Sequence, residues 1–404
     1  MTAGWRTERL GEVCSFLNRG ISPKYLEEGG VCVLNQKCVR DHEVNFDLAR
    51  RHDSSSKTVS LDRFVRGGDV LINSTGTGTL GRVAQLRETP NEPTTVDSHV
   101  TIARPKPGLF FPEFFGYMLI LIEEAIKQSG EGCGGQTELS RSVLAEKFLV
   151  SYPASHSEQQ RIVAILDEAF EGIATAKANT EKNLQNARAI FESHLQSLYS
   201  GAEGGWLVKP LSELCYDGRV ITYGVVQLGQ EVPGGVPCLR TSNVRWLRIE
   251  TAGMKRISRQ ISDGYSRTIL KGGEVLVSVR GTLGGVAVAS PEMSGWNVSR
   301  EVAVAPVDPD KVNPHFVAYC IGSGVSQEWL GGMKKGAAYV GINIEDLRNL
   351  PIRFPSPEEQ DRLVRHLDAV SVQVDSLAST YRQKVVALDD LKKSLLHHAF
   401  SGQL

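Results

Sequence analysis

Basic, amide and hydroxyl side chains gather in stretches of this chain that read as loops, and their chemistry is that of recognition. In the first half they are Asn35, Gln36, Lys37, Arg40, Thr77, Arg82, Gln136 and Thr137. In the second half they are Arg240, Ser242, Asn243, Arg245, Arg280, Thr282 and Arg300. An arginine fork bridges guanine bidentately, a carboxamide does the same for adenine, and the remaining basic groups hold phosphates. Taken singly, each such residue is more often a solvated charge. Catalytic chemistry lacks its motifs: there is no G-x-x-x-x-G-K-[ST], no H-E-x-x-H and no G-x-S-x-G. His397-His398 stands at a helix end with no counterpart earlier in the chain, which favours a solvated end over a metal site. Gly76 to Gly81 fits G-x-G-x-x-G, but a dinucleotide loop needs a helix next, and Arg82 to Leu86 reads as strand. A structural turn is expected there. The chain is expected to carry no metal, no cofactor and no catalysis of its own.

The elements that position these side chains occur twice. Trp5, Leu10, Glu12 and Cys14 meet Trp206, Leu211, Glu213 and Cys215 at an offset of 201. Glu158, Gln159, Arg161, Leu166 and Asp167 meet Glu359, Gln360, Arg362, Leu367 and Asp368 at that same offset of 201. A duplication of such long period means two copies of one architectural unit. In each copy a G-G-[DE]-V-L run enters a buried strand, at Gly67 and at Gly272, and a G-T-L-G turn follows at Gly78 and at Gly281. Alternating stretches around Val100 and Val302 predict further strands, and short helices should begin at Pro112 and Pro314. Each body is therefore α+β. The framework matches between copies while the candidate readers differ: Asn35-Gln36 faces Arg240-Thr241, and Asp97-Ser98 faces Ser299-Arg300. Equal scaffolds with unequal surfaces suit an asymmetric, two-part target.

Each body is followed by a proline-free stretch whose apolar residues recur every three or four places. The seam runs through Ile162, Leu166, Ile173, Thr180, Leu184 and Leu195, and later through Leu363, Leu367, Val374, Leu377, Val385, Lys392 and Leu396. This is the pattern of a coiled-coil seam. A helix of ~42 residues would be ~63 Å long and would outrun its own body, so the two helices are expected to pack on each other. Pro153 and Pro355 lie just outside the starts, and Gly201 and Gly402 close the ends.

Composition sets bounds. Apolar residues at 41% and charged residues at 23% are ordinary for soluble globular protein. A formal net charge of −1 gives no global field toward nucleic acid or membrane, so an anion-binding surface must be local. The seven cysteines include no C-x-x-C pair and read as thiols in a reducing compartment. With neither a signal-like start nor a long apolar run, the expected location is cytoplasmic, without membrane contact.

Over essentially its whole length the chain resembles type I restriction–modification specificity (S) subunits. The carrying residues are the paired G-G-[DE]-V-L entries and G-T-L-G turns, the body ends Tyr152-Pro153…Glu158-Gln159 and Phe354-Pro355…Glu359-Gln360, and the Ser-Gly ends at 200–201 and 401–402. The resemblance implies two target recognition domains, 1–153 and 202–355, each followed by a long spacer helix, 154–201 and 356–404. It implies that these helices pair antiparallel as a coiled coil, separating the domains with pseudo-twofold symmetry. Each domain would read half of a bipartite site in double-stranded DNA. The implied partners are two methyltransferase subunits, which bind S-adenosylmethionine, and restriction subunits, which use ATP and Mg. A duplicated coiled-coil adaptor that binds no DNA would carry the same repeat and stays open.

Overall fold

The computed structural model describes residues 4–130, 138–200, 205–332 and 341–404. Contacts divide the chain into two units: Met1–Thr180 with Lys384–Leu404, and Glu181–Gln383. The division falls within the long helices, so each unit joins one body to parts of both.

In the first unit the chain enters and leaves its body through one antiparallel pair, Trp5–Arg9 against Leu149–Pro153. Between them lies a four-stranded antiparallel sheet in the order Cys14–Arg19, Val100–Pro105, Val70–Asn73, Val83–Gln85. A second sheet runs Thr94–Val96, Val31–Leu34, Arg50–His52, Tyr25–Leu26, with its first pair parallel. The second body repeats the plan. Leu207–Pro210 pairs with Pro351–Phe354, and one sheet runs Thr222–Tyr223, Val302–Ala305, Val275–Ser278, Val286–Val288. The other runs Lys255–Ile257, Val236–Leu239, Asn297–Val298. The helices Pro112–Leu121 and Pro314–Gly322 begin at the expected prolines, whose missing N–H costs nothing in a first turn.

The motifs of the sequence acquire physical reasons here. The acid of each G-G-[DE] run is buried and closes its own turn. Asp69 accepts the Arg66 N–H at 2.8 Å and pairs with Arg104, while Glu274 accepts the Lys271 N–H at 2.9 Å and pairs with Arg219. A buried carboxylate is tolerated when paired and hydrogen-bonded in this way. The turn Gly76 to Gly81 leads into the strand Val83–Gln85, as expected of a structural turn.

The long helices are His156–Ser200 and Pro357–Ser401, 45 residues each. A buried glutamine ties each start to its body. Gln159 accepts the Phe111 N–H at 2.7 Å and donates to the Pro153 carbonyl at 2.9 Å. Gln360 accepts the Asn313 N–H at 2.8 Å and donates to the Pro355 carbonyl at 2.9 Å. Gly402, at φ 73°, ends the second helix in the left-handed region; Gly201 lies outside the described residues.

Within the first unit the two helices run antiparallel. Arg161 donates to the Leu404 carbonyl, the Lys392 ammonium lies 4.9 Å from the centre of the Phe170 ring, and Lys177 pairs with Asp389 at 3.0 Å. The seam packs on the bodies as well as on the partner helix. Ile162 and Leu166 share the first body's core with Leu396, Ala399 and Phe400, and Leu195, Leu363, Leu367 and Val374 join the core of the second. Ile173 is buried, and Leu184 and Val385 are half-buried. One seam position differs from expectation: Leu377 is 40% exposed and Ala378 faces inward at 3%. At 3.6 residues per turn, a step of four from Val374 stays nearer the buried face than a step of three. Lys392 keeps its seam place with its ammonium over the Phe170 ring.

Candidate nucleic-acid interface

At one end of each body five chain segments converge. In the first, the bridge between Ile21 and Asp97 brings the end of Cys14–Arg19 beside the loop that precedes Val100–Pro105. Ser74 N–H donates to His99 and Leu139 N–H donates to Ser74, so the turn after Val70–Asn73 lies between them. Asn73 donates to the Gln36 carbonyl at 2.9 Å, which brings in the loop after Val31–Leu34. The second body repeats three of these connections through the Val225–Ser299 bridge, Val279 N–H to Glu301, and Ile342 N–H to Val279. Its fifth segment is joined by Ser299 N–H to Leu239, as Asp97 N–H joins Leu34 in the first. Glycine permits the closest approach: a Cβ at Gly20 would lie 1.8 Å from the Val96 carbonyl oxygen, and one at Gly224 would lie 1.9 Å from that of Val298.

These segments hold part of the expected set. Gln36 lies against the Gly76 turn, where its carboxamide oxygen accepts from Thr79 at 3.2 Å. Lys37 and Thr77 are exposed nearby, and Arg82 donates to the Gly78 carbonyl across the same turn. In the second body Ser242, Arg280 and Thr282 are exposed, and Arg300 is half-buried with its N–H on Val225. Arg240 is half-buried; it donates to the Gly253 carbonyl, and its Nε is buried without a hydrogen-bond partner. Gln136 and Thr137 lie outside the described residues.

Four expected readers are directed elsewhere. Asn35 is 9% exposed, donates to the Leu48 carbonyl at 2.8 Å and accepts from Lys37 N–H. Asn243 is 1% exposed, donates to the Glu250 carbonyl and accepts from Arg240 N–H. Both amides hold their own loops, because a buried carboxamide must satisfy its donors and acceptors inside the fold. Arg40 and Arg245 stand on the hairpins Val39–Val44 and Val244–Ile249, and His42 at the tip of the first lies 3.5 Å from Lys392 of the second long helix. Arg245 pairs with Glu250 and borders a cavity of about 490 Å³ that Arg188 and Asp375 of the long helices also line.

Five residues of the convergence escaped the sequence expectation: Arg19, Thr75, His99, Glu138 and Tyr223. Arg19 donates to Glu138 at 2.5 Å, and the Thr75 hydroxyl lies 2.7 Å from His99 Nδ1. The Arg280 guanidinium carbon lies 5.5 Å from the centre of the Tyr223 ring. The available signal was that Arg19 and Tyr223 each precede an equivalent glycine. Burial pushes the Asp97 carboxyl above the usual carboxylate range, opposed by the His99 N–H it accepts. Among the described residues no group of three or more His, Cys, Asp or Glu could hold a metal ion, and no helix is long and apolar enough to cross a membrane. The surface offers guanidinium, carboxamide, hydroxyl and imidazole groups, which suit phosphate oxygens and base edges.

Comparison with known proteins gives a consistent result. The family model described as "Type I restriction modification DNA specificity domain" matches residues 2–186 and again 205–385. The type I restriction enzyme EcoBI specificity subunit of Escherichia coli is 27% identical over 201 residues, which is 49% of this chain and 42% of that protein. The matched stretch thus spans less than half of that curated relative. A chain from a structure on complex assembly and conformational transition of the type I R-M system superposes with a TM-score of 0.72 at 20% identity, covering 100% of this chain and 99% of that one. The HsdS subunit from Thermoanaerobacter tengcongensis gives a TM-score of 0.56 at 21% identity, covering 100% and 98%. Both share the fold.

Proposed function

The chain belongs to the type I restriction modification DNA specificity family, and on that premise we propose that it is the DNA-recognition subunit of a type I restriction–modification complex. Residues 1–153 and 202–355 act as two target recognition domains, each reading one half of an asymmetric bipartite site in double-stranded DNA. The long helices join them and receive two methyltransferase subunits, with restriction subunits completing the assembly. S-adenosylmethionine, ATP and Mg belong to those partners, and this chain transfers no methyl group by itself.

One observation carries the reading: the two bodies present equivalent convergences of loops with different side chains. Gln36 stands where Thr241 stands, and Ser98 where Arg300 stands. Conserved geometry with changed hydrogen-bonding groups is what two different half-sites require.

The test is a domain exchange. Replacing residues 1–153 with the first domain of another family member, and sequencing the methylated DNA of cells carrying the full system, should change one half of the motif and leave the other. A change in both halves would end the modular account. Affinity of the complex for duplex should also fall steeply with salt, with a log–log slope of about −0.9 per phosphate neutralised. A salt-independent response favours the adaptor reading instead.

A further inference from the structure

The two convergences share a smaller site that can be compared position by position. Leu139 and Ile342 donate their N–H groups to Ser74 and Val279 respectively, which makes Glu138 equivalent to Gly341 and Thr75 to Arg280. The bridges Thr75–Glu138 and Arg280–Gly341 give the same correspondence. Gly20 and Gly224 make matching close approaches to Val96 and Val298, which sets Arg19 equivalent to Tyr223. Three backbone positions therefore meet in each body: 19, 75 and 138 in the first, and 223, 280 and 341 in the second.

Their side chains solve different problems. In the first body Arg19 is held by Glu138 at 2.5 Å and by the Leu139 carbonyl at 2.8 Å. In the second, the position of Glu138 is taken by Gly341, which lies beside the Arg280 stem and brings no carboxylate to it. Among the described residues no carboxylate pairs with Arg280, and its guanidinium rests over the 39% exposed ring of Tyr223. An aromatic face holds a guanidinium plane while leaving the N–H fork free to donate in that plane.

We propose that these three positions are the specificity-determining site of each body, and that in the second Arg280, positioned by Tyr223, recognises a guanine through its O6 and N7. This rests on the bodies being DNA readers and adds to that reading the base and the residues. In the first body the guanidinium comes instead from Arg19, at the position equivalent to Tyr223; fixed by Glu138, it reads in the other half-site. The guanidinium donates two N–H groups to two adjacent acceptors on one base, which only guanine presents in the major groove.

The experiment uses the full chain assembled with its methyltransferase partners and duplex libraries randomised across both half-sites, with bound DNA sequenced. Arg280→Ala should lower discrimination for guanine at one position of one half-site by about 5- to 150-fold and leave the other half unchanged. Tyr223→Ala should lower that same discrimination about 2- to 5-fold, while Tyr223→Phe keeps it. Arg19→Ala should relax one position of the opposite half only. Thermal melting of each variant establishes that it is folded, which the exposure of Arg280 favours. Uniform weakening across all sequences with Arg280→Ala would mark a phosphate contact and overturn the proposal. So would an unchanged motif with Arg280→Ala where the wild-type complex does select a sequence. A wild-type complex that selects no sequence at all would overturn the DNA-reading premise as well.

Discussion

The Tyr117 hydroxyl donates to the Asp167 carboxylate at 2.5 Å, fastening the helix Pro112–Leu121 to the first long helix. The second unit repeats the bond from Tyr319 to Asp368 at 2.5 Å. Two copies that differ at their converging loops thus keep one fastening between body and helix, which marks it as part of the scaffold.

Burial first, and then the neighbouring carboxylate, push both tyrosine hydroxyls above their ordinary value of 10.0. Because the folded protein holds these protons more tightly than the unfolded chain, the contribution is complete below pH ~10 and is lost as pH rises beyond it. Tyr117→Phe with Tyr319→Phe should therefore flatten the loss of stability above pH ~10 in alkaline denaturation. At neutral pH each substitution should cost about 1.5 kcal/mol, the lower end of the range for a charge-assisted bond, since Asp167 is half-buried and Asp368 exposed.

Gln159→Leu should destabilise the protein by about 2–4 kcal/mol, because it strands the half-buried Phe111 N–H and the buried Pro153 carbonyl without partners. Its neighbour Gln160 is exposed, so Gln160→Leu should change little. Urea denaturation of the two variants side by side separates a buried-polar penalty from a general cost of altering the helix start.

Phe400, 8% exposed, meets Phe114 with ring centres 5.0 Å apart, although 286 residues separate them. Phe400→Ala should cost about 3–5 kcal/mol, as expected for removing a buried aromatic ring. The damage should be local: amide exchange should rise in Pro112–Leu121 and stay unchanged in Pro314–Gly322. Equal deprotection of both helices would contradict the assignment of the chain end to the first core.

Burial pushes the Cys215 and Cys238 thiols up to about 12. The thiolate is the reacting species, so at pH 8 native labelling by iodoacetamide should be slower than in urea by on the order of 10³. Peptide mapping of the labelled cysteines checks this, and rapid native labelling of either would contradict the burial.

Much of the scaffold was legible because its signals are local and periodic. The run Val70–Asn73 after two glycines, the helix starts at Pro112 and Pro314, and the stripe from Ile162 to Leu195 each declare themselves within a few turns or strand repeats. Leu377 shows where periodicity alone fails: adjacent apolar choices compete for one face, and packing selects Ala378. The candidate surface was legible only in part. Gln36, Arg280 and Arg300 were found as polar loop residues, but Asn35 and Asn243 share that signature while their amides bind their own loops.

The sequence by itself determined the duplication, the pair of long helices, the buried strands and the absence of a catalytic motif, since each follows from composition or spacing along the chain. Only the tertiary structure decided which polar groups face outward. Arg19, Thr75 and Glu138 are far apart in sequence and meet because antiparallel strands and a bridge bring them to one edge. Arg104 and Arg219 are given to buried acids, while Arg280 rests on Tyr223. A side chain's hydrogen-bonding capacity is assigned by its neighbours in space, and no spacing along the chain encodes them.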